Sequence, residues 1–213
     1  ASYLDLGTSL TPAWEVDVAV RHEKFSDFGS TTNGKFATRY QFDPRVALRA
    51  SVSSGFRAPS LVQEHYTGLS VGPTIALGLL AANSPAAKML GADELQPEKS
   101  TSFNLGLVLN PWENVGLNID AYQISIRDRI VDSATYSGQE AIDALAAAGI
   151  SLPASASTVS THYLANGADT RTRGVDITGH YLVALGEYGQ VDWELSANFN
   201  RTTLRKNHRG ANG

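Results

Sequence analysis

Apolar residues recur at every second position in this chain, through one stretch after another, and the connections between those stretches alternate between short and long. Trp14, Val16, Val18 and Val20 oppose Glu15, Asp17, Ala19 and Arg21. A period of two places like residues on one face of an extended strand. The same alternation marks 35–42, 45–53, 101–109, 115–127, 173–183 and 191–200, giving about seven long strands; in 115–127 the apolar phase slips from odd to even near Ala121, as a β-bulge would produce. Asp43-Pro44, the segment Asn110-Pro111-Trp112-Glu113-Asn114 and a turn holding Gly186, Tyr188 and Gly189 join neighbours tightly, by turn-forming residues. The connections after residues 53 and 127 each run to about forty residues. Within the second of these, QEAIDALAAA at 139–148 is Ala-rich, with Ile142 and Leu145 three apart, and predicts a short helix.

Such alternation fits either a soluble antiparallel sheet with one face on a core or a closed barrel in a membrane. Three features favour the barrel. The strands match the roughly 9–11 residues that cross a bilayer at a tilt. Aromatics gather at strand ends: Tyr40, Phe42, Trp112, Tyr188 and Trp193 by the short turns, and Phe25, Phe28 and Tyr122 toward the long loops. Two such girdles suit the two membrane–water interfaces. The opposite faces carry charges and amides along their length, which suits a wet lumen. The expected fold is therefore all-β: an antiparallel transmembrane β-barrel segment with short periplasmic turns and long extracellular loops.

Composition narrows the function classes. The 213 residues carry no cysteine, which excludes a disulfide framework and a thiolate metal site. The net charge of −4 lacks the basic footprint of a nucleic-acid binder. The five histidines are dispersed, without ligand-like spacing, so no metal is expected. No GxSxG or HExxH pattern occurs, and no catalytic residue or cofactor is expected.

Four segments carry a resemblance: SGFRAPSL at 54–61, ELQPEKS at 94–100, NIDAYQISIRDRIV at 118–131 and ANGADTRTRGVDI at 165–177. In order and spacing they resemble the TonB-dependent outer-membrane receptors, and together they cover roughly half the chain. The resemblance implies a 22-stranded barrel in the outer membrane of a Gram-negative bacterium, holding an N-terminal plug that contacts the TonB complex. It also implies a receptor that actively imports a ferric siderophore, or else cobalamin or a carbohydrate. The sequence contains no segment matching the plug or the terminal aromatic strand, so residues 1–213 are expected to be an internal fragment of one barrel domain. Outer-membrane lipid is an expected partner; nucleic acid is not. A passive porin or adhesin-like barrel, or a soluble β-sandwich module, would share the strand pattern.

Candidate ligand contacts follow from the long loops, 57–96 and 128–170, which lie opposite the tight turns: Arg57, His65, Tyr66, His162 and Tyr163. Arg57 fits a second role, pairing with a loop carboxylate to pin the entry of the loop, and its place at a strand end favours that role. The remaining motif residues read as geometry: Gly55, Phe56, Ala58, Pro59, Leu95, Pro97, Glu98, Arg129, Arg173 and Gly174. The Arg173-Gly174 pair is expected to permit close backbone approach or a bulge.

Overall fold

The computed structural model describes residues 1–26 and 29–207. Phe28, assigned above to an aromatic girdle, lies outside the described residues. Two compact units are built from interleaved pieces of chain.

The first unit comprises Ala1–Phe56, Ser100–Ser125 and Arg171–Thr203. It holds the long strands β1 (Ser2–Thr11), β2 (Trp14–Lys24), β3 (Ser30–Asp43) and β4 (Val46–Arg57), and most of β7 (Glu98–Trp112), β8 (Val115–Asp132) and β11 (Gln190–Asn207). It also takes the second half of β10 (Thr158–Ala184). The strand order is β1-β2-β3-β4-β7-β8-β10, with β11 on the far side of β10, so the sheet is open at β1 and β11. Strand β1 is one more long strand than the alternation gave.

Register sets the character of each face. Leu6 pairs Val18, Val18 pairs Phe36, and Phe36 pairs Val52, which makes an apolar row across four strands. One position along, Gly7, Asp17, Ala37 and Ser51 form a row on the other face. The apolar row is bare: Leu6 is 60% exposed, Val18 42%, Phe36 45% and Val52 36%. Phe103, Leu105, Trp193 and Leu195 continue the exposed apolar surface. Among the described residues, Ala47 is the one buried hydrophobic residue of this unit. A sheet that water surrounded would need a core against one face.

The described residues of the second unit are 57–99, 126–170 and 204–207. It contains α1 (Leu61–His65), β5 (Gly68–Val71), β6 (Ile75–Leu80), α2 (Pro85–Met89), β9 (Tyr136–Ser137), α3 (Gln139–Ala147) and the first half of β10. The two long connections are therefore not open loops. They share a core of Ala76, Leu80, Ala86, Ala87, Ala92, Ala141, Ala144, Leu145, Val159 and Tyr163. Strands β5 and β6 form a hairpin, and β6 lies parallel to β10, with Ala76 opposite Val159 and Leu80 opposite Tyr163. Gly78 has no side chain because Leu145 of α3 sits directly on it. Helices α1 and α2 each start on a serine cap: the Ser60 hydroxyl accepts from Gln63 N–H, and that of Ser84 from Ala87 N–H. Helix α3 falls on the predicted segment. The first half of β10 and the β5–β6 hairpin lie within the two long connections.

Candidate functional site

In the first unit, the face opposite the apolar row is polar and concave, enclosing about 1000 Å³. Arg49 on β4 reaches Asp120 on β8 with two hydrogen bonds of 3.0 and 2.6 Å. The pair passes over Gly106 of β7, where any Cβ would collide with both side chains. Lys35 lies 3.2 Å from Asp17. Asn198 donates to Asp176 and to the Tyr122 hydroxyl. Charged groups crossing a sheet in partnered pairs are the surface of a wet wall, not of a packed core. On the same face Gly174 is bare because the Tyr122 ring lies over it. One position along, on the other face, Arg173 donates to Gln123 at 2.7 Å. Gly55 is similarly close to the Ser100 hydroxyl, and Phe56 meets Phe25 edge-on at 5.6 Å.

In the second unit, Arg57 grips Glu98 through Nε at 2.9 Å and Nη2 at 2.6 Å. The same Glu98 oxygen that takes Nη2 also accepts the Ile130 N–H at 2.8 Å. One carboxylate therefore ties the end of β4, the start of β7 and β8. Glu98 is 7% exposed, whereas the Arg57 side chain is 52% exposed. Burial alone pushes Glu98 up. The hydrogen bonds from Arg57 and Ile130, with the charges of Arg57 and Arg129, outweigh that and hold the carboxyl below its ordinary range. The bond to Glu98 in turn raises the Arg57 guanidinium. Arg57 is thus a pin, as its second role anticipated, and its charge is already spent on Glu98. Pro59 and Pro97 are buried beside this clasp, with Ala58 partly so. Leu95 packs with Ala82 and Ile130 in a small cluster of its own. Arg129 Nη1 donates to the Thr170 hydroxyl at 3.4 Å.

The aromatic and histidine candidates separate. His65 and Tyr66 stand at the end of α1 with their side chains exposed; the His65 ring is 3.7 Å from the buried Glu64 carboxylate. Tyr66 folds its ring over Gly68. His162 is partly exposed, 3.7 Å from Asp132. Tyr163 is the correction. It is 1% exposed and stacks on Tyr136 with ring centroids 6.0 Å apart. Both hydroxyls are directed at the Leu90 carbonyl, at 3.3 Å from Tyr163 and 2.8 Å from Tyr136. Burial, then the Tyr136 hydroxyl, pushes its phenol up. Tyr163 is a core residue because β10 begins at Thr158, which turns odd-numbered side chains under α3.

Sequence reasoning missed Asn166. Its Oδ1 accepts the Gln96 N–H at 2.7 Å, and its Nδ2 donates to the carbonyls of Gln96 at 2.8 Å and Asp128 at 2.6 Å. The side chain gives Gln96 the pairing that a neighbouring strand would give. Asp128 beside it has φ of 56°, left-handed for a residue with a side chain, and its N–H donates to Asp169. The available signal was Asn166-Gly167, which reads as a turn and lies instead in mid-strand.

The sequence matches the TonB dependent receptor-like, beta-barrel family over residues 1–213. It is 24% identical over 191 residues to the vitamin B12 transporter BtuB of Vibrio cholerae, covering 85% of this chain and 28% of that protein. The chain thus spans less than a third of the length of the curated relatives it matches. The siderophore receptor PirA from Pseudomonas aeruginosa superposes with a TM-score of 0.67 at 16% identity, over 96% of this chain and 34% of that one. The ferric enterobactin receptor PfeA of the same organism gives 0.65 at 15%, over 92% and 26%. The RagAB peptide transporter gives 0.68 at 16%, over 99% and 22%. At these identities the structural likeness is one of fold.

Proposed function

This chain belongs to the TonB-dependent receptor-like β-barrel family, and from that premise we propose that it is part of the outer-membrane wall of a receptor in a Gram-negative cell. That receptor binds a scarce nutrient outside the cell and imports it with energy delivered through TonB, by way of a plug domain elsewhere in the parent protein. The observation that carries the reading is the first unit's pair of faces: one apolar and bare, one charged and internally partnered, with almost nothing buried between. Lipid is the medium that makes the bare face favourable, and a water-filled lumen suits the other. The second unit supplies a folded vestibule, with His65, Tyr66 and His162 as the candidate side chains for nutrient contact. The nutrient is foremost a ferric siderophore, with cobalamin or a carbohydrate next; the names of the relatives support the first two.

The test is uptake of radiolabelled ferric chelates and cobalamin by cells carrying the intact parent protein, with and without a collapsed proton-motive force. Accumulation that needs both the protein and the energised membrane supports the reading. Accumulation indifferent to energy would make the parent a passive pore and overturn it.

A further inference from the structure

We propose that the first unit's apolar face seats one phosphorylated lipid of the outer leaflet, its phosphate on Arg171, Arg173 and Arg201 and an acyl chain in the groove beside them. This rests on the reading of that face as lipid-facing.

The first support is a one-sided charge. Between the turns, the apolar face of this unit carries no Asp or Glu among the described residues. Its charges are Lys24, Arg171, Arg173 and Arg201, all at the strand ends away from the short turns. The turn ends of the same face carry Trp14, Tyr40 and Trp193 instead. A leaflet whose headgroups bear phosphate suits a cationic edge on that side alone.

The second support is how the arginines sit. Strand β11 lies beside β10. Thr172 bonds Thr202 at 2.7 Å, and Asn198 donates to Asp176, which sets these pairs opposite each other on the polar face. One position along, on the apolar face, Arg173 falls opposite Arg201, and Arg171 opposite Thr203. The Thr203 hydroxyl donates to the Arg171 carbonyl at 3.3 Å, as that register requires. Like charges directly opposite each other destabilise a sheet, and an anion between them reverses the sign. The fold supplies no such anion. Arg173 donates to the neutral Gln123 amide, Arg201 is exposed with no bonded partner among the described residues, and Arg171 Nε is buried with none. Guanidinium forks on adjacent strands match the oxygens of a phosphate.

The third support is a groove of about 620 Å³ in the same face. It runs from Phe36 and Val52, across Phe103, Leu105 and Ala121, to Gln123 and Arg173. Asp120 and Tyr122 both face the polar side, so β8 keeps its phase through Ala121, without the slip its sequence suggests, and Ala121 and Gln123 share the apolar face. An apolar channel ending on guanidinium groups has the order of a lipid, chain first and phosphate last.

The test is native mass spectrometry of the full-length parent receptor in detergent, titrated with bisphosphorylated lipid A, with the same lipid dephosphorylated, and with inorganic phosphate. One lipid A is expected to stay bound, about tenfold tighter or more than the dephosphorylated form. The double variant Arg173→Gln, Arg201→Gln is expected to weaken lipid A about tenfold and leave the dephosphorylated form unchanged. Ala121→Phe, which fills the groove with an apolar ring, is expected to weaken both lipids. The comparison of the two lipids in the unmodified receptor holds whether or not the variants assemble. Equal retention of both lipids, loss of both, or undiminished lipid A binding by the double variant would overturn the proposal. Displacement of lipid A by inorganic phosphate would make the cluster a site for the free ion and overturn it too. A spin label at Leu195 separates this failure from that of the wall reading: collision with oxygen leaves the face in lipid, whereas access to a nickel chelate removes it.

Discussion

Removing Arg57 is expected to cost more than neutralising its partner Glu98, and the asymmetry follows from burial. Arg57→Ala leaves a carboxylate that is 7% exposed with one remaining donor, the Ile130 N–H. Stripping the partner from a fully buried charge costs about 3–5 kcal/mol. Because the Arg57 side chain is 52% exposed, solvent already screens the pair, and about 2–3 kcal/mol is the better figure. Glu98→Gln keeps an acceptor for Ile130 and frees a guanidinium that water solvates, at about 1 kcal/mol. The double variant is expected to cost less than the two singles added, because the groups form one network. Hydrogen exchange at the Ile130 amide of the full-length receptor reads this directly, since that N–H bonds to Glu98. A loss of about 2 kcal/mol speeds exchange roughly thirtyfold. The pH dependence has a fixed sign. The folded carboxyl titrates below its unfolded value, so its contribution is complete above the ordinary carboxylate pKa of about 4.3 and is lost as pH falls through the lowered folded value. Unchanged Ile130 protection in Arg57→Ala, a larger effect from Glu98→Gln, or a contribution that grows on acidification would refute the reasoning.

Val18→Lys, Leu107→Lys and Val175→Lys each place a charge on the apolar face. Each should cost about 2–4 kcal/mol near the bilayer midplane, read as loss of the heat-modifiable folded band on gels. Gly106→Val should break the Arg49–Asp120 pair by collision, at about 1–3 kcal/mol in denaturant titration of the detergent-solubilised receptor. Asn166→Ala removes three hydrogen bonds to backbone and should speed exchange at the Gln96 amide, with an expected loss of about 1–3 kcal/mol. Deleting either long connection should unfold the other, because Ala87 and Leu145 share a core; limited proteolysis of the remaining connection checks this.

The parts legible in the sequence were those governed by local period. Strands β2, β3, β4, β7 and β11 each have one apolar and one polar face, so alternation reports them. Strand β1 carries the same signal at Leu4, Leu6 and Leu10, weakened by Gly7 and Thr8. What could not be read was non-local. Strand β6 pairs in parallel with a segment some eighty residues on, and IALGLL is apolar throughout its length. Without that pairing, Thr158–Thr170 reads as loop and Tyr163 as a surface aromatic, when it is a core residue. The clasp was half legible. The position of Arg57 announced a structural pin, but only the fold names Glu98 as its partner and Ile130 as the third member.

The central claim is that the first unit's apolar face meets lipid and its other face meets water. The chain has no cysteine, so single cysteines introduced at Val18, Leu105 and Leu195, and at Asp17, Asn104 and Asp176, can each carry a spin label in the full-length receptor reconstituted in bilayers. Collision with dissolved oxygen, which concentrates in lipid, against a water-soluble nickel chelate separates the two media. The account predicts oxygen-dominated relaxation at the first three positions and chelate access at the second three. Equal chelate access at both sets, or oxygen dominance at Asp17, Asn104 and Asp176, would contradict it.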